Sequence, residues 1–157
     1  MARIRELLQS DVPRVAEILT QSPPWALTGE SVQEIEKLLL ASLGRGGQFV
    51  AEADGEPAGV VGFISEPIFA RGGCVCFLAV RDEMRRRGIG RQLMGFVERK
   101  IFSQSPNIYL SISPSNEPAR RFFERLGYVK VGEIPDLFAP GTVEWILRKS
   151  IPKSPRR

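Results

Sequence analysis

A chain of 157 residues, 43% hydrophobic and 25% charged, is long enough for a substantial core and has the composition of an ordinary globular domain. It has no histidine and two cysteines, which excludes Ser-His-Asp and Cys-His catalysis and any histidine-held metal, and no metal is expected. Lys153, Arg156 and Arg157 supply three units of the net charge of +4, so the body is nearly neutral and nucleic acid is not an expected partner.

No run of about 18 apolar residues suggests a membrane span. The start, Met1 to Arg5, lacks the apolar core of a signal peptide. A cytoplasmic location is therefore the expectation, with one domain over residues 1–150 and an unstructured basic tail over 151–157. Arg3 to Leu8 alternates as a strand. Ser10 or Asp11 can cap a helix with Pro13 in its first turn and Val15, Ile18 and Leu19 on one face. Gln21 to Gly29 reads as a loop holding Trp25. Ser31 with Glu34 is a capping box for a second amphipathic helix ending near Gly44. Gln48–Ala53 and Ala58–Ile64 read as strands joined by an Asp54-Gly55 hairpin turn, and Glu66 to Gly73 as a connection. Cys74–Val80 is an apolar strand. A disulfide between Cys74 and Cys76, two residues apart in it, would be strained, so buried free thiols are expected.

After the charged segment Arg81 to Arg87 come Gly88-Ile89-Gly90 and a helical pattern from Arg91 to Phe102, with Leu93, Phe96, Val97 and Ile101 on one face. Glycines let the backbone pass close to a ligand, and the helix start adds unpaired N–H groups and the positive end of its dipole. With Arg85, Arg86, Arg87 and Arg91 around it, this strand–turn–helix suits an anion, a pyrophosphate first. It is neither a Walker loop, since no Lys-Ser or Lys-Thr follows, nor a dinucleotide fingerprint, since Leu93 stands where the third glycine belongs.

Asn107 to Ser113 alternates, with Tyr109, Ser111 and Ser113 on one face. Ser115 or Asn116 caps a helix that Gly127 stops. Tyr128 to Ile134 and Val143 to Lys149 complete the strands, around a loop from Pro135 to Thr142. The order βααβββαβαββ describes an α+β domain with one mixed, mostly antiparallel sheet and helices on both faces.

Arg85-Arg86-Arg87-Gly88-Ile89-Gly90 resembles the Q/R-x-x-G-x-G/A signature of the GNAT acyltransferases, and the element order is that of the GNAT fold. Asn116, Ala119, Phe122, Glu124, Gly127 and Tyr128 resemble the family's second signature. The resemblance implies an N-acetyltransferase that moves an acetyl group from acetyl-CoA to a primary amine by direct attack, loosely similar to the peptide N-terminal branch. It implies that the backbone of Leu78, Ala79 and Val80 meets the pantetheine arm, that Arg85, Arg86, Arg87, Gly88, Ile89, Gly90 and Arg91 take the pyrophosphate, and that Asn116, Ala119 and Phe123 complete the cofactor site. Trp25, Asp136 and Phe138 lie where family members hold the acceptor; Phe138 tucked under the sheet is the equal alternative.

The proton-transfer positions depart from the family. Its acid tyrosine is Phe123 here, the base of the N-terminal branch is Ser111, and that of the histone-type branch is Cys74. Tyr109, Ser111 and Ser113 can instead hold a water chain. Glu66, Asp136 and Glu144 are carboxylates near substrate-side loops, where a solvated charge is the plainer reading. The catalytic candidates are thus Ser111, Tyr109 and Glu144. A CoA-binding module without turnover is the alternative. The acceptor, a small molecule or a peptide, stays open, as does assembly as a homodimer.

Overall fold

The structure, a computed structural model, describes residues 1–69 and 71–152, with side chains at all of these but 66–68. The Glu66 side chain and tail residues 153–157, singled out in the sequence, therefore lie outside the described part. The elements are β1 (Arg3–Glu6), α1 (Val12–Thr20), α2 (Trp25–Thr28), α3 (Val32–Ser42), β2 (Gln48–Ala53), β3 (Glu56–Ile68), β4 (Gly72–Val80), α4 (Ile89–Phe102), β5 (Asn107–Ile112), α5 (Glu117–Arg125), β6 (Val129–Pro135) and β7 (Val143–Ser150). The strands hydrogen-bond in the order β1-β2-β3-β4-β5-β7-β6. β4 and β5 pair in parallel, while β1 with β2, β2 with β3, β5 with β7 and β6 with β7 pair antiparallel. No helix among the described residues is long and apolar enough to cross a membrane.

Most expected elements are present, with local differences. The stretch read as a loop around Trp25 contains the one-turn helix α2, closed by Gly29 in the left-handed region, whose N–H returns to the Trp25 carbonyl at 3.0 Å. The expected connection from Glu66 to Gly73 is mostly strand, because β3 runs on to Ile68 and β4 begins at Gly72. Gly72 and Gly73 sit in a strand for lack of space: a Cβ on Gly72 would lie 2.5 Å from the Tyr109 ring, and one on Gly73 would lie 2.8 Å from Ile101. The capping box forms as read, with Ser31 N–H donating to Glu34 Oε2 at 2.7 Å and Glu34 N–H to Ser31 Oγ at 3.2 Å. Asp11 does not cap α1 with its side chain; its carboxylate accepts from Arg5 and from the Leu8 N–H instead.

The residues form two compact units, Met1–Phe63 with Phe77–Val97, and Ile64–Cys76 with Glu98–Arg157. In the first, Val12, Val15, Ile18 and Leu19 of α1 and Ile35 and Leu39 of α3 bury their apolar faces against Val50, Val60 and Ala79. The opposite sheet face meets α4: a Cβ on Gly59 would touch Ile89 and Leu93, and Phe49 packs on Phe96 with centroids 4.5 Å apart. In the second unit Ile108, Leu110 and Ile112 of β5 are buried and alternate with half-buried Tyr109 and Ser111. Glu98 of α4 is held from two sides, by Tyr128 Oη at 3.2 Å and by Lys149 Nζ at 2.8 Å.

Candidate active site

In the first unit, β4 leads into the turn that the sequence marks as an anion site. Arg86 (φ +61°) and Gly88 (φ +78°) both adopt left-handed backbone, which glycine tolerates and an arginine takes only under constraint. The first bond into α4 is Gln92 N–H to Gly88 O at 3.0 Å, so the amides ahead of it face out of the helix end. α4 begins at Ile89, two residues earlier than its apolar pattern suggests, and this places Gly88 at the cap. Arg85, Arg86, Arg87 and Arg91 are exposed. Arg85 pairs with Asp82 at 2.9 Å; Arg86, Arg87 and Arg91 have no ion pair among the described residues. Three uncommitted guanidiniums around free amides fit a pyrophosphate.

Ala79 is buried, while Leu78 and Val80 are half-buried, so this strand end offers backbone more than side chain. Beside Val80 a cleft of about 210 Å³ opens, lined by Arg14, Ile18, Gln21 and Arg81 among others. Its cations are already committed, Arg14 to Glu17 at 2.9 Å and Arg81 to Glu56 at 3.0 Å, which makes it a poorer anion site than the turn. Trp25 meets Phe77 edge to face at 5.4 Å and joins the core, so its indole is a packed wall more than a free loop aromatic.

The second unit brings Tyr109, Ser111 and Glu144 onto one sheet face. Tyr109 pairs with Arg148, and Ser111 with Ile146. Residues directly opposite share a face and residues two apart along a strand do too, so Glu144, Ile146 and Arg148 lie with Tyr109 and Ser111. Glu144 is 5% exposed, which overturns its reading as a solvated charge. It has no ion pair among the described residues, and burial pushes its carboxyl above the ordinary 4.5. Arg148 was missed in the sequence; its Nε is buried with no hydrogen-bond partner among the described residues, on the residue that pairs with Tyr109. The alternation Glu144-Ile146-Arg148 was the signal that could have found it.

The other candidates are set by α5 and the β6–β7 loop. Asn116 caps α5, its Oδ1 accepting from the Ala119 N–H at 3.3 Å, which leaves Nδ2 as its donor. Phe123 is buried, edge-on to Phe122 at 5.0 Å and to Tyr128 at 5.5 Å. The Tyr128 phenol does not replace the missing one, because burial and Glu98 drive its pKa far above the usual range. Asp136 is exposed and closes its loop by accepting from the Gly141 N–H at 2.6 Å. Phe138 is 38% exposed, so it is not tucked under the sheet. Cys74 and Cys76 are free, but Cys76 is exposed where both were expected buried. Among the described residues no group of three His, Cys, Asp or Glu could hold a metal.

The sequence model of the acetyltransferase (GNAT) family matches residues 12–128. An N-alpha-acetyltransferase of Sulfurisphaera tokodaii is 28% identical over 92% of the chain and 90% of its own length. Ard1 from Thermoplasma volcanium superposes with a TM-score of 0.79 at 21% identity, over 97% of this chain and 99% of that one. An aminoglycoside 6'-N-acetyltransferase solved with coenzyme A superposes with a TM-score of 0.72 at 20% identity, over 97% and 99% of the two chains.

Proposed function

Because the chain belongs to the acetyltransferase (GNAT) family, we propose that it moves an acetyl group from acetyl-CoA to the α-amine of a peptide or protein N-terminus. The observation that carries the cofactor half is the Arg86–Gly88 turn, whose free amides and unpaired Arg86, Arg87 and Arg91 match a pyrophosphate in charge and shape. The relative of Sulfurisphaera tokodaii, named for acetylation of α-amines and matching along nearly the whole chain, supports the acceptor half.

Acetyl-CoA supplies an activated acyl carbon on a thiol leaving group whose pKa, like that of cysteine, is about 8.5. In this reading the turn from Arg85 to Arg91 anchors the diphosphate. The backbone of Leu78, Ala79 and Val80 lines the pantetheine arm as a neighbouring strand would, and one of its amides faces the acyl oxygen. Asn116 Nδ2 contributes a further donor. Trp25 contributes aromatic surface for the residues that follow the acceptor's amine. An α-amine, with a pKa near 8, needs less help to become neutral than a lysine does.

Calorimetry with acetyl-CoA and with CoA, followed by turnover on a panel of short peptides with free and blocked N-termini, tests the proposal. Binding together with acetylation of free α-amines is expected. No binding at high micromolar ligand overturns it. A second reading, CoA binding without turnover, is favoured by Phe123, whose apolar ring stands where the resemblance puts a phenol. Binding without acetylation of any amine would establish that reading instead.

A further inference from the structure

We propose that the Glu144 carboxylate takes the proton from the incoming ammonium group, across the sheet face it shares with Ser111 and Tyr109. The inference rests on the acetyl transfer argued above.

Proton removal needs a group that is able to accept, not already engaged, and placed beside polar partners. There is no histidine, so the search falls on carboxylates. Asp11, Glu52, Glu56, Glu83, Glu98 and Glu133 are tied to arginines or lysines. Glu34 is tied into a capping box and Asp136 to the Gly141 amide. Glu6, Asp54 and Glu124 are exposed, so nothing separates them from bulk water. Among the described residues Glu144 alone is a buried carboxylate without a cation.

The register gives it its neighbours. Ile112 opposes Trp145, so Glu144 follows on the next step of the ladder, diagonal to Ser111, roughly 7–8 Å between backbones. A glutamate side chain and one water span that gap. On β7 the nearest cation of the same face, Arg148, stands four residues on, about 13 Å along the strand, too far to pair. On β6 the residue opposite is Ile134, which is apolar. Glu133 and Lys130 are tied to each other, and Glu133 opposes Trp145, on the other face. From β5 come Tyr109 and Ser111, polar and half-buried. Burial without a countercharge raises the carboxyl and so makes it a better proton acceptor.

The amine arrives as an ammonium and gives one proton to Glu144. Its lone pair forms the N–C bond to the acetyl carbon, the C–S bond breaks, and the electron pair leaves on sulfur. The second nitrogen proton goes to that thiolate, and Glu144 returns its own to water past Ser111 and Tyr109. The products are an amide, a thiol and one proton.

The test uses the full chain and three readouts. Carbon NMR of labelled glutamates, without ligand, is expected to show Glu144 titrating above the ordinary carboxylate range. The pH profile of kcat/KM on a peptide with a free α-amine is expected to reach its plateau below the amine's own pKa. Glu144→Gln should cut that plateau roughly a hundredfold and make the rate follow the free amine, while the Kd for acetyl-CoA holds within twofold. Ser111→His in the Glu144→Gln background, which sets a base on the neighbouring strand, should restore part of the plateau. An unchanged profile in Glu144→Gln, or an ordinary titration of Glu144, overturns the assignment and leaves the acetyl transfer standing. A parent chain that binds no acetyl-CoA, or acetylates nothing, overturns the transfer and this inference with it.

Discussion

The ring of Phe77 fills the space that a side chain on Gly62 would need. A Cβ there would fall within the contact radius of three ring atoms, and the ring cannot retreat freely because Trp25 meets it edge to face at 5.4 Å. Gly62→Ala is therefore expected to cost about 1–3 kcal/mol, the range for overpacking a well-filled core. Urea unfolding should show a lower midpoint at unchanged slope. Phe77→Leu in the same chain should return part of the loss; strictly additive losses would refute the steric account.

Arg5 binds Asp11 through two bonds, 2.6 and 2.9 Å, and Glu52 through a third at 2.7 Å. Arg5→Ala leaves Asp11 buried and unpaired, so a loss of about 3–5 kcal/mol is expected. Arg5 also holds the Asp11 carboxyl below its ordinary 3.8. Its stabilisation is thus complete above that value and disappears as pH falls through the lower folded one. In acid, the parent should lose more stability than Arg5→Ala does; parallel denaturation curves from pH 5 to about pH 2 would contradict this.

Glu144 titrates in the opposite sense. Its folded carboxyl lies above the ordinary 4.5, so the native chain holds a proton that the unfolded chain has released. Stability then falls as pH rises from that value through the folded one. Glu144→Gln is expected to melt higher than the parent at pH 7 and close to it at pH 4. Equal differences at the two pH values would show that ionisation is not the cause.

Arg86, Arg87 and Arg91 make no ion pair among the described residues. Arg86→Ala and Arg91→Ala should leave the melting temperature within about 2 °C, as for surface changes worth under about 0.5 kcal/mol. Each should weaken acetyl-CoA about tenfold, the loss of one charge-assisted contact of about 1.5 kcal/mol. Added salt should weaken the parent more than either variant. Unchanged calorimetric affinity in both would move the diphosphate elsewhere.

The two thiols should differ in reactivity. Cys76 is exposed and its pKa is lowered by the bond with Cys74, which also raises that of Cys74 in a partly buried position. Limiting iodoacetamide near neutral pH is expected to label Cys76 first, by peptide mass spectrometry. Preferential labelling of Cys74 would reverse this reading.

Much of the fold is legible in local sequence. The Ser31–Glu34 box, the Asp54-Gly55 turn with both residues at positive φ, the Gly88 turn and the alternation from Asn107 to Ile112 each depend on residues a few positions apart. Such signals survive without knowledge of the partner strand. The anion turn belongs to this class, since strand, glycine and helix start are consecutive. Elements whose cause is distant were misread. Gly72 and Gly73 look like a connection in sequence and stand in a strand because Tyr109 and Ile101 occupy the side-chain space.

The sequence by itself determined the longer helices and the succession of elements along the chain, and it marked the turn we propose for a pyrophosphate, because each follows from backbone preference and short-range periodicity. Only the tertiary structure decided which face Glu144 occupies. β5 pairs with β7, across α5 and β6, and the register sets Ser111 against Ile146. A slip of one residue would turn Glu144 to the other face and part it from Ser111 and Tyr109. That choice comes from packing between strands more than thirty residues apart, a separation over which no local pattern carries information.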